Sequence, residues 1–192
     1  MDNRLNSLRR FNIIMGAVHL VQGIIMIFLA TSVIQKIAEF QPTIVQYYLT
    51  FNPVTRSLEP ASKELFTLPF GTLVASFLLI SAAAHGLIAL NSEKYFRDLK
   101  KGINKFRWFE YALNSSVMIV LIATLFGIHD IATLILIFLV NASMNLFGLD
   151  MEQLNSGAKK AAVNWGPFIW GSIGWCGAVD CDTPIHDGHR QL

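Results

Sequence analysis

FRWFEYALNSSVMIVLIATLFGIHDIATLILIFLVNASMNLFG, residues 106–148, decides the fold class. Its two apolar runs meet at a short polar turn, and each approaches the roughly 20 residues with which a helix crosses a bilayer at about 1.5 Å per residue. A carboxylate, Glu110, stands just inside the first run, and amides at Asn114, Asn141 and Asn145 lie within the two. Polar groups kept where lipid penalises them point to a task inside a helix bundle.

The rest of the chain agrees. Of its 192 residues 53% are hydrophobic and 15% charged, too apolar for a soluble domain. The net charge of +2 is spread over short loops, which gives nucleic acid no basic patch to bind. No small-residue cleavage site follows the first apolar run, so it does not read as a signal peptide. Five spans are expected, at 11–34, 66–90, 108–128, 131–149 and 163–179. The fold class is therefore all-α, a multispanning transmembrane helix bundle over 1–179, with 180–192 as a polar, disordered tail. Gly166, Pro167, Gly171, Gly174 and Gly177 weaken the fifth span and leave a partial or re-entrant segment as the alternative.

Loop charge orients the bundle. Arg4, Arg9 and Arg10 precede the first span, Lys94, Arg97, Lys100, Lys101, Lys105 and Arg107 crowd the loop after the second, and Lys159 and Lys160 precede the fifth. By the positive-inside rule the N-terminus is cytoplasmic. The long outer loop 35–65 contains TIVQYYLTF, and with Asn52-Pro53 as a turn and Val54-Thr55 beyond it one of two equal readings is a short extracellular β-hairpin. Packing of Tyr47, Tyr48 and Phe51 on the membrane surface is the other reading.

Polar positions share helix faces. Glu110, Asn114 and Met118 stack at four-residue spacing, as do Asn141 and Asn145. Asn12, Met15, His19, Gln22 and Met26 form a stripe on the first span, and Ser81 and His85 lie one turn apart on the second beside small residues that admit a close neighbour. With the N-terminus inside, His19, His85 and Glu110 fall at the same cytoplasmic depth. A carboxylate beside imidazoles can hold a cation or accept a proton. The plainer alternative has each histidine bonded to backbone or a neighbouring helix, and Glu110 as an interfacial acid paired with Arg107.

FRWFEYALNSSVMIVLIA and VNASMNLFG, with AAAHGLIAL and FNIIMGAVHLVQG before them, resemble the heliorhodopsins, retinal-binding photoreceptors of inverted membrane orientation. The resemblance covers about Leu8 to Pro167. It implies that Glu110 is the counterion of a protonated retinal Schiff base. It likewise implies that His19 and His85 form the proton-accepting polar cavity, and that Tyr111, Ser115, Met118, Asn141 and Asn145 line the retinal pocket. Expected partners are membrane lipid and either a second copy of the chain, as a dimer, or the missing C-terminal helices.

Heliorhodopsins have seven helices and attach retinal through a lysine in the seventh, whereas here no lysine follows Lys160. Five of seven helices, ending in WCGAVDCDTPIHDGHRQL, read as a truncated or frame-shifted copy that is not photoactive alone. In that tail Cys176, Cys181, His186 and His189 are spaced poorly for zinc, and an unstructured tail or a disulfide are the other readings. Three functions follow: a photoreceptor lacking its chromophore-bearing part, a membrane interaction subunit without chromophore, and an intramembrane enzyme using Glu110 and the histidines. The last lacks any recognisable nucleophile or metal motif, so no enzyme is expected.

Overall fold

The computed structural model describes residues 3–157 and 163–180. Among them four segments are long and apolar enough to cross a membrane, Leu5–Val33, Phe70–Leu90, Lys105–Leu125 and Ile131–Leu154. The first runs as helix α1 (Asn3–Phe28) and widens into a π-helical turn, Leu29–Val33, where the Thr31 hydroxyl bonds back to the Ile27 carbonyl at 2.8 Å. A short helix α2 (Gln35–Glu39) leads to strands β1 (Thr43–Asn52) and β2 (Ser57–Thr67). Then come α3 (Phe70–Leu90), α4 (Ser92–Lys100), α5 (Lys105–Leu125), α6 (Ile131–Leu154) and α7 (Gly166–Asp180).

Several expected boundaries move, each for a local reason. Phe66 and Thr67, counted with the second span, belong to β2, and α3 starts only after Pro69. The fourth helix runs past its expected end at 149 to Leu154, because Glu152 is held at the bundle end by groups from α5. The fifth expected span forms the 15-residue helix α7, about 22 Å long against a hydrocarbon core of about 30 Å. The loop after the second span is itself largely helical. Tyr95, Phe96 and Leu99 recur at helical spacing in α4, and Tyr95 and Phe96 are buried with Ile88 beneath Leu5, Leu99 and Phe106. The polar tail with Cys181, His186 and His189 lies outside the described residues, as do Lys159 and Lys160; Cys176 is an exposed free thiol.

The hairpin forms. β1 and β2 pair antiparallel from Thr43↔Thr67 to Asn52↔Ser57, with a bulge between Ile44 and Val45. Its tip is an Asx turn: Asn52 Oδ1 accepts from the Val54 N–H at 2.9 Å, and Arg56 takes a left-handed φ of 53°. Its base is fixed to the α5–α6 turn. Ile44 is 1% exposed in a cluster with Ala123, Leu134 and Ile137, and the Val45 N–H donates to the His129 carbonyl at 2.9 Å. Asp130 caps α6 by accepting from the Thr133 N–H and hydroxyl, and also accepts from the Tyr47 N–H.

The long helices pack in a row: α1 on α3, α3 on α5, α5 on α6 and α6 on α7. Small residues set the approaches. Gly16 faces His85, Gly23 faces Leu79, Gly148 lies under the Trp108 ring and Gly171 under Phe147.

Candidate functional site

Glu110 sits in the second turn of α5 and reaches α3. The Ser81 hydroxyl donates to Glu110 Oε1 at 2.6 Å, and Asn114, one turn along α5, donates through Nδ2 to Ser81 Oγ at 2.9 Å and to the Phe77 carbonyl at 3.1 Å. A serine hydroxyl has one proton, so its direction here is settled: Asn114 gives to Ser81, and Ser81 gives to Glu110. The relay aims its dipoles at the carboxylate, an arrangement suited to an anionic acceptor.

The histidines occupy the next layer, between α1 and α3. Asn12 is 4% exposed, and its Nδ2 donates to the Leu8 carbonyl at 2.8 Å. That leaves Oδ1 facing His85 Nδ1 at 2.8 Å. An amide oxygen can only accept, so His85 carries a proton on Nδ1, and Nε2 is the nitrogen free to exchange one. His19 stacks on His85, ring centroids 5.6 Å apart and planes 15° from parallel, and its buried Nδ1 has no partner among the described residues. Ser81 and His85 are one turn apart on α3, so that helix links the carboxylate to the ring pair.

Arg107 does not pair with Glu110. Its guanidinium binds Glu152 of α6 and lies over the Trp108 ring at 5.0 Å, while Glu152 Oε2 accepts from the Asn104 N–H at 2.7 Å. The interfacial ion pair considered from the sequence is thereby replaced by a clasp between α5 and α6, and Glu110 is left to Ser81.

Tyr111, Ser115, Met118, Asn141 and Asn145 line one open groove of about 450 Å³ between α5 and α6, together with Ile119 and Met144. Ser115 organises its wall. Its Oγ accepts from Asn141 at 2.7 Å and from Asn145 at 3.0 Å, and donates to the Tyr111 carbonyl at 2.6 Å. Asn141 also reaches Ser116 at 3.0 Å, and Asn145 the Asn141 carbonyl at 2.9 Å. Tyr111 and Met118 are about half exposed, because the row of helices leaves this side of α5 open.

Residues 8–179 match the heliorhodopsin family. The chain belongs to that family. It is thus a membrane protein of the rhodopsin type, and retinal and light sensing come with heliorhodopsin membership. No curated protein matches the chain. Three members of this cluster, Ser81, Asn12 and Asn114, were noted as polar positions in the sequence but not named as site residues. Ser81 had a signal in its one-turn spacing from His85, whereas the bond from Asn12 to His85 required knowing which faces of α1 and α3 meet.

Proposed function

We propose that this heliorhodopsin supplies the counterion side of a retinal Schiff base photoreceptor in the cell membrane, with its N-terminus cytoplasmic. Glu110 is the counterion, His19 and His85 form the proton-accepting cavity, and Tyr111, Ser115, Met118, Asn141 and Asn145 line the retinal pocket. One observation carries the reading: Asn114 donates to Ser81 and Ser81 to Glu110, while Tyr111, the next residue of α5, lines an apolar groove large enough for a polyene on the α6 side of the same helix. A bound retinal Schiff base would supply a light-isomerisable cation. The chain's own residues would hold that cation's charge at Glu110 and offer His85 Nε2 for a proton.

The residues fit the anion and not the attachment. Lys36, Lys63, Lys94, Lys100 and Lys101 lie in α2, β2, α4 and the turn after it, Lys105 is the first residue of α5, and Lys159 and Lys160 precede α7. No lysine enters the interior of the four long helices, so these helices offer no amine for an imine with retinal.

The test uses two additives. All-trans retinal added to the purified chain is expected to give no red-shifted band that hydroxylamine bleaches. The preformed imine of retinal with butylamine needs no lysine and is expected to bind with a red-shifted band, which Glu110→Gln abolishes. A band that survives Glu110→Gln overturns the counterion role, and a hydroxylamine-sensitive band from retinal alone overturns the missing attachment.

A further inference from the structure

The α1–α3 seam carries a second groove of about 600 Å³, which Asn12, the partner of His85, also lines. Its floor is made of small residues, Gly16, Ala17, Ala82, Ala83 and Gly86, and its lining is almost wholly apolar. Arg9 and Leu20 of α1 mark its two ends, about 16 Å apart along the axis at 1.5 Å per residue. That is close to half of a hydrocarbon core about 30 Å thick, the depth of one leaflet. At Gly86 an added Cβ would meet nothing within 4 Å, so the floor is open along its length there.

The end of the groove nearest Arg9 is chemically different. Arg9 and Leu90 also line an adjoining polar recess with Asn91, Ser92, Lys94 and Arg97, against one acid, Glu93. The ion pairs among the described residues are Lys105 with Asp98 and Arg107 with Glu152, so the recess holds three bases and one acid, a net positive lining, with none of them in such a pair. Lys94 and Arg97 are held there by α4, which is pinned by the burial of Tyr95 and Phe96 and presents the two bases at i, i+3 spacing. Asn91, at the N-terminal end of α4, makes no side-chain cap and lines the same recess.

From this continuity of an apolar slot one leaflet deep with a basic mouth, we infer that the α1–α3 groove binds an anionic glycerophospholipid. One acyl chain lies over Gly86 and Ala83, and the phosphate is met by Arg9, Lys94 and Arg97. The net positive mouth selects an anionic head group over a zwitterionic one, and the small floor admits a chain where larger side chains would fill the space.

Native mass spectrometry of the full chain, released from detergent with equal amounts of phosphatidylglycerol and phosphatidylcholine, tests it. Phosphatidylglycerol is expected to be retained in preference, and neutralising Arg9, Lys94 or Arg97 to Gln to weaken retention about fivefold each. These side chains are exposed, so the variants keep the fold, as an unchanged melting curve checks. Gly86→Leu, which fills the slot, is expected to weaken retention of both lipids alike. Equal retention of the two lipids by the unaltered chain, or variants that retain phosphatidylglycerol as before, overturns the inference. So does a mass twice that of the chain which Gly86→Leu halves, because the slot is then an interface between two copies.

Discussion

The α1–α3 seam and the α5–α6 seam solve the same problem, two helices meeting in lipid, by different means. α1 and α3 approach through glycines, and Asn12 to His85 is the side-chain bond between them. α5 and α6 are joined by amides: Asn141 gives to Ser115 and Ser116, Asn145 gives to Ser115, and Arg107 and Glu152 close the end. Amides in lipid are costly unless paired, so the second seam accepts one register, while the first is held by shape and leaves room along its groove. Hydrogen bonding falls on the helices that wall the α5–α6 groove, and close glycine contact on the one that carries His19.

The same substitution in both seams gives the sharpest contrast. In Gly148→Ala the new Cβ meets the Trp108 ring, which cannot yield without leaving α6, and we expect a loss of about 1–3 kcal/mol with a shifted Trp emission. In Gly23→Ala the obstacle at 2.6 Å is the end of the Leu79 side chain, which can rotate at a cost of about 0.5–1.5 kcal/mol. The gain in helix propensity, up to about 1 kcal/mol, offsets most of that. Detergent unfolding midpoints check both, and a larger loss at Gly23 than at Gly148 would reverse the comparison.

Asn141→Ala comes next. It leaves the Ser115 and Ser116 hydroxyls without their shared donor and is expected to cost about 0.6–1.7 kcal/mol by the same unfolding measurement. Asp130→Ala removes the α6 cap and the tie to Tyr47, costs about 1 kcal/mol, and should speed proteolysis of the hairpin relative to the helices. The smallest effect is one of pH. Bonds from the Thr133 N–H and hydroxyl hold the Asp130 carboxyl below the usual aspartate value. Its contribution is therefore complete above that usual value and is lost as pH falls through the lowered one. Asp130→Asn keeps a capping oxygen and should flatten the acid limb of the stability profile; an unchanged limb would assign it to other groups.

Much was legible before any coordinates. Glu110, Asn114, Asn141 and Asn145 stood out because carboxyl and amide groups in apolar runs have few reasons to be there, and helical spacing put them on shared faces. The hairpin was one of two readings of TIVQYYLTF and its Asn-Pro turn. Helix α4 was not, because its nine residues are mostly charged and the burial of Tyr95 and Phe96 depends on Leu5 and Phe106 from other elements. Nor was the partner of Arg107: Glu110 is three residues away in sequence, yet Glu152, on another helix, takes the guanidinium.

The linear order of residues by itself determined that this is a membrane helix bundle of heliorhodopsin type, since length, apolarity and polar spacing are local properties of the chain. Only the tertiary structure decided which helix Glu110 addresses, which nitrogen of His85 is protonated, and where the seams close or stay open. Those depend on which faces meet across helices distant in sequence, and a hydrogen bond has a direction only once both of its partners are in place.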